Sequence, residues 1–160
     1  MHFFTLLTFG LGTLALDVSA ASSLRAQTQP NCPPQHGKSK QQQVIFEDFV
    51  QTFYKELNAE KALLNHMPED YIQHNPNVLS GRQNAIDFAG PLFASGVNFT
   101  ILRYAVENDF AFIHTRMDIN GAAEPIAVVD IWRFEGTCMV EHWDVFQTKD
   151  ANSTNPLALF

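Results

Sequence analysis

Late in the chain an imidazole and a carboxylate stand two residues apart, within Glu141-His142-Trp143-Asp144. Side chains along an extended strand alternate between its faces, so His142 and Asp144 share one face, and Glu141 and Trp143 the other. A histidine and an aspartate looking the same way can exchange a proton with a molecule held between them, which is the equipment of general acid–base catalysis. The competing reading is a solvated face, because a half-exposed antiparallel strand carries polar residues outward as a rule. A second polar group lies in Tyr71-Ile72-Gln73-His74-Asn75-Pro76. Pro76 forces Asn75 into an extended conformation and makes this stretch a hook. His74 offers an imidazole and Asn75 a neutral donor for a substrate carbonyl; alternatively both hold the hook by hydrogen-bonding backbone.

The chemistry that fits is removal of a proton from carbon beside a carbonyl, followed by protonation of the resulting oxygen. A carboxylate sunk in apolar surroundings holds its proton to higher pH, because burial disfavours charge. Asp144 is the first choice for the acid/base, with His142 relaying its proton and His74 polarising the carbonyl. His114, Asp130 and Trp132 complete the candidates, as binding groups on neighbouring strands. Each has a plainer role open to it. Asp130 could pair with Arg103, Arg116 or Arg133, and His114 could be a satisfied core histidine. Trp143 could anchor the sheet against a helix or a second copy, and Glu141, of opposite parity to Asp144, could be structural. His142-x-Asp144 with His74 or His114 also has the ligand types of a two-histidine, one-carboxylate metal site, at a permissive spacing. No Gly-rich phosphate loop, Gly-x-Ser-x-Gly elbow or paired cysteine motif is present, so nucleotide binding and serine or zinc hydrolysis have no support.

Helices followed by strands must position these groups. Ile45, Phe49, Phe53 and Leu57 recur every four residues and predict a helix over Gln42–Leu57. Asn58 caps a second, Ala59–His66. Ser80, with Gln83 three residues on as a capping box, starts a third from Gly81 to Phe93, its last turn kinked or shortened by Pro91. From Val97 the period becomes two. Strands are expected at Phe99–Val106, Phe110–Ile119, Pro125–Phe134 and Cys138–Gln147, separated by turn residues. Short turns between successive strands make an antiparallel meander. Helices first and strands after is an α+β layout, N-terminal helices packed on a strongly curved sheet that encloses a pocket.

Composition agrees with one domain around an apolar interior: 160 residues, 46% hydrophobic, 14 of them Phe. A net charge of −7 with no basic run argues against nucleic acid and anionic membrane surfaces. Residues 1–20 read as a signal peptide, an uncharged apolar run Phe3–Leu16 followed by Val18-Ser19-Ala20. Export is therefore expected, with no membrane association once the leader is removed. Residues 21–43, rich in Gln, Ser, Pro and Lys, read as a flexible linker, 44–148 as the folded domain and 149–160 as a tail whose Leu157, Leu159 and Phe160 could dock. Cys32 and Cys138 are either free thiols or a staple tying the lead-in to the sheet. Asn98-Phe99-Thr100 and Asn152-Ser153-Thr154 match the N-glycosylation pattern, with Asn98 at risk of burial.

The hook Tyr71–Pro76, Gly81-Arg82, Glu107-Asn108-Asp109, His114, Asp130-Ile131-Trp132-Arg133-Phe134 and Glu141-His142-Trp143-Asp144 with Gln147 together resemble the SnoaL-like family, a branch of the nuclear-transport-factor-2-like fold. The resemblance spans about Phe46–Gln147. It implies a cone-shaped α+β fold, a central cavity, a homodimer, and kinship with polyketide cyclases that close a ring by aldol condensation with no metal or organic cofactor. Glu135-Gly136-Thr137-Cys138 departs from the Asp-Gly-basic turn that family members use there. Two registers of the last strand, one residue apart, stay open in consequence, and with them which of Asp130–Phe134 faces His142. The substrate implied is a small hydrophobic carbonyl or polyketide-like compound. Three readings stand side by side: a cyclase or isomerase, a binding module for a hydrophobic ligand, and a sheet serving dimerisation. A cavity of roughly several hundred Å³ would count against the third.

Overall fold

The first helix is not uniform, and its irregularity decides which aromatic residue reaches the interior. In the computed structural model, which describes residues 30–160, α1 runs Ser39–Val50 and continues directly into a π-helical turn, Gln51–Lys55. Ile45, Phe46, Phe49 and Val50 form its buried face. In the π turn the hydrogen bonds lengthen by one residue, Glu56 N–H donating to the Gln51 carbonyl at 3.0 Å. The added residue advances the phase. Tyr54 is then fully enclosed, while Phe53 and Leu57, which the four-residue spacing favours, are only half-buried. The helix starts three residues before the expected Gln42 because Ser39–Gln41 carry nothing that breaks it.

α2, Ala59–His66, is capped as expected, the Asn58 side chain accepting from Lys61 N–H at 3.0 Å. α3 spans Arg82–Ala94 and is not capped by Ser80. That hydroxyl is committed to the hook, accepting from Gln73 N–H at 3.1 Å, and Gln83 pairs with Asp87 instead. Gly81, at φ +106°, occupies the cap position. Pro91 does not shorten α3, which continues to Ala94.

β1 (Ile72–Gln73), β2 (Val97–Glu107), β3 (Phe110–Ile119), β4 (Ile126–Glu135) and β5 (Cys138–Thr148) form one sheet in the order β1-β5-β4-β3-β2. β2 to β5 are the expected antiparallel meander, and the hook adds β1 as a short parallel edge beside Glu141 and His142. Asn108 and Asp109, both at positive φ, make a two-residue turn matched to the twist of β2 and β3. The sheet curls over the helices but does not close. Its inner face packs on Phe46, Phe49, Leu63 and Met67, with Ile113 and Met139 among the most deeply buried strand residues.

The register left open by the Glu135-Gly136-Thr137 turn is settled by a bulge. Arg133 pairs with Glu141 but Phe134 with Met139, so Val140 is the extra residue. Trp132 then stands opposite His142 and Asp130 opposite Asp144.

The leader expected over residues 1–20 lies outside the described residues. Of the linker, residues 31–37 are pinned: Cys32 is joined to Cys138 by a disulfide, and Thr137 N–H donates to the Gln35 carbonyl at 3.0 Å. Gly136 lies at φ +57° under that carbonyl, where a Cβ would overlap it. The tail is mostly exposed, but Phe160 reaches the outer face of β3, its ring 5.4 Å from the Arg116 guanidinium. Among the described residues no helix is long and apolar enough to cross a membrane.

Candidate active site

Between α3 and the inner face of the sheet lies a cavity of about 80 Å³. Phe53, Phe88, Phe93, Phe99, Val128 and Phe146 give it apolar walls, and Asp130, Trp132, His142, Asp144 and Asn75 bring polar atoms to one corner. It falls short of the several hundred Å³ that would count against the dimerisation reading. Aromatic residues fill much of the interior: Phe53 packs edge-on to Tyr54 and Phe93 at 5.0 and 4.9 Å, and Phe49 to Trp132 at 4.9 Å.

The corner is built by register. Asp130 and Asp144 are a cross-strand pair with both side chains inward, an arrangement of like charges that requires donors. Tyr54 supplies one, its hydroxyl donating to Asp130 Oδ2 at 2.7 Å. His142 Nε2 lies 3.0 Å from Asp130 Oδ1. Asn75 Nδ2 donates to Asp144 Oδ2 at 2.6 Å, while its own Oδ1 accepts from Asn77 N–H at 2.8 Å and holds the hook. Asn75 thus holds the hook, and its donor is spent on Asp144 rather than left free for a carbonyl.

Gln73 fixes the protons. Its Oε1 accepts from Asn75 N–H at 3.0 Å, and a backbone N–H can only donate, so the amide orientation is set. The same oxygen lies 3.0 Å from His142 Nδ1, which must therefore carry a hydrogen. One proton then lies between His142 Nε2 and Asp130 Oδ1, held on one or the other. Burial first, then the Asp130 charge and hydrogen bond, push the Tyr54 hydroxyl well above the ordinary phenol range, so it stays a donor. Tyr71 is raised for the same first reason, with Asp130 and Asp144 adding to it. Trp132 stacks on His142 at 3.9 Å between ring centres. Its buried Nε1 makes no full hydrogen bond, though its N–H lies near enough to Tyr54 to temper that rise.

Of the seven residues singled out in the sequence, five meet here: Asp144, His142, Asp130, Trp132 and Asn75. His74 does not. It precedes Asn75 by one residue, so alternation turns it to the opposite face of the sheet. There its Nε2 lies 2.8 Å from Glu141 Oε1 and its ring stacks on Trp143 at 4.7 Å. The expectation that His74 and Asp144 look into one hollow is therefore corrected by parity. His114 is also outward, its ring 6.4 Å from Phe160, because its neighbours Ile113 and Thr115 take the inner face. Asp130 pairs with none of the arginines proposed for it; Arg133 binds Glu141 at 2.6 Å and Arg116 binds Asp118 at 2.8 Å.

These placements separate the histidines of the two-histidine metal set. Among the described residues, Asp130, His142 and Asp144 are the group that could hold a cation, with one ligand atom each within 4.8 Å of the others. His142 Nε2 and Asp130 Oδ1 are engaged with each other, so a cation bound through both atoms would have to replace that hydrogen bond. Tyr54 and Gln73 were missed by sequence reasoning. A tyrosine in an apolar helical stripe does carry a signal, since a buried hydroxyl requires a partner.

A helix-covered, curled sheet of this kind is the nuclear-transport-factor-2-like fold. Residues 47–142, more than half the chain, match the model of the SnoaL-like domain, and the chain belongs to that family. Among solved structures it is similar to an NTF2-like protein of unknown function from Mesorhizobium loti, with 18% identity, TM-score 0.60 and 71% of this chain covered against 97% of that one. It is also similar to a candidate ketosteroid isomerase from Kribbella flavida, with 13% identity, TM-score 0.61 and 76% and 89% covered. A candidate SnoaL-like polyketide cyclase from Jannaschia matches with 15% identity, TM-score 0.54 and 68% and 86% covered. At these identities the likeness is one of fold. No curated protein matches the chain.

Proposed function

We propose that the protein is a cyclase or isomerase that works by aldol-type acid–base chemistry, without a cofactor, on a small hydrophobic carbonyl compound. The observation that carries this reading is the convergence of Asp130, His142 and Asp144, with ligand atoms within 4.8 Å, at one corner of an apolar cavity. Asn75 holds one oxygen of Asp144, and the other has no side-chain partner among the described residues. That free oxygen takes the proton beside the carbonyl. The proton shared by His142 and Asp130 then goes to the oxygen that gains charge, with the Trp132 N–H as a further donor. Apolar walls strengthen each of these interactions by excluding water.

The test is exchange of the α-protons of acetophenone in deuterated water, followed by NMR. Asp144→Asn should slow enzyme-catalysed exchange by at least about a hundredfold, the lower end for a positioned acid or base. Affinity for the ketone should stay within about tenfold, because the change removes a proton carrier and little shape. An unchanged rate would remove Asp144 from the mechanism. A binding module is the second reading, favoured by how fully Asp130, His142 and Gln73 satisfy one another. It predicts ketone binding with no exchange by the unaltered protein.

We also propose export and a homodimer. The Cys32–Cys138 disulfide supports the first. Exposed Phe110 and Phe112 on β3 and Val145 on β5, on the outer face of the sheet, support the second. Sedimentation of the purified chain measures the latter.

A further inference from the structure

We infer that Asn98 and Asn152 carry N-linked glycans. The inference rests on export, as proposed above, and not on any catalytic activity. Both sit in the acceptor triplet, Asn98-Phe99-Thr100 and Asn152-Ser153-Thr154. A triplet alone is a weak signal, and three structural observations add to it.

The first is access. Asn98 opens the edge strand β2, between buried Val97 and Phe99, whose side chain lines the cavity. Alternation therefore points the Asn98 and Thr100 side chains away from the cavity, and both are exposed. The fear that Asn98 is buried does not hold. Asn152 lies in an exposed turn closed by Ser153 N–H donating to the Asp150 carbonyl at 3.0 Å. The second is availability: among the described residues neither asparagine side chain makes a hydrogen bond, so a sugar would displace nothing. Asn75 shows the contrast, a buried asparagine with both ends of its amide engaged. The third is compartment. Cys32 and Cys138 are joined, which suits the oxidising lumen in which such glycans are added.

Strand pairing puts both sites at one end of the sheet. Val97 pairs with Ile119, Met117 with Ile126, and Ile126 with Thr148, four residues before Asn152. A glycan on Asn98 would stand beside the unpaired edge of β2, where a bulky hydrophilic group blocks edge-to-edge association.

The full chain, with its own leader, would be expressed in a eukaryotic secretory host and the secreted protein treated with peptide-N-glycosidase. The expected result is a loss of two glycans' mass, one in each of Asn98→Gln and Asn152→Gln, and none in the double variant. Should Asn98→Gln fail to fold, Thr100→Ala must lose the same glycan and Thr100→Ser must keep it. Secreted protein with no mass loss overturns the inference, as does a loss that persists in the double variant. Retention in the cytosol overturns it for the natural chain. A parallel sample with a proven secretory leader tells failed export from unused sites.

Discussion

The two faces of β5 carry similar chemistry one residue apart. Inward, His142 lies 3.0 Å from Asp130, with Asp144 beside them; outward, His74 lies 2.8 Å from Glu141, with Arg133 beside them. Distance does not tell the pairs apart. Water does: the His142 side chain is 7% exposed and the His74 side chain 41%. A charge pair at a given separation interacts several times more strongly where solvent is thin. A proton can be directed only where bulk water does not compete for it, so the inward set is suited to chemistry and the outward set to holding the hook against the sheet.

The largest expected effect tests that division directly. His142→Gln should lower the rate of α-proton exchange by about 10²–10⁴-fold, the range for a positioned acid or base. His74→Gln should leave it within about threefold, because a residue that touches no substrate removes no transition-state contact. Equal losses in the two variants would break the comparison. Next is Tyr54→Phe, which strips a donor from buried Asp130. It should cost about 1–3 kcal/mol of folding free energy, the desolvation penalty of an orphaned acceptor, read from denaturant unfolding. Smallest is Glu141→Gln, which removes the carboxylate charge shared by His74 and Arg133 at the solvent boundary and should cost less than about 1 kcal/mol. Hydrogen bonds from His74 and then Arg133 hold the Glu141 carboxyl below its ordinary range. Its contribution is therefore present above about pH 4.3, the ordinary glutamate value, and is lost as pH falls through the lowered one. A unfolding curve of Glu141→Gln that kept the full acid-side slope would remove Glu141 as its source.

The sequence disclosed the architecture because period, turn residues and breakers act locally. Ile45, Phe49 and Asn58 declare helices, and Asn108-Asp109 declares a hairpin, without help from distant residues. That His142 and Asp144 share a face followed from alternation alone; that the face is the inner one did not. Tyr54 and Gln73 did not, because they depend on contacts far along the chain. Tyr54 meets Asp130 across 76 residues, and only after a π turn that the apolar spacing does not announce. His74 was misplaced because a hook has no period: whether it or Asn75 turned inward depended on how β1 aligned beside β5. Cavity size is not legible for a related reason. Phenylalanines line a hollow and fill it equally well, and composition does not separate the two.

The π turn in the first helix has one consequence of its own. Everything before Gln51 is phased by ordinary α-helical geometry against the sheet, and everything after is rotated by one surplus residue. Deleting one amino acid from residues 51–53 would regularise the rod and carry Tyr54 into the inward position that the four-residue spacing gives to residue 53, so the phenol would keep its place beside the carboxylate it now touches. The surplus residue is taken up within one turn, and the helix after it still faces the sheet.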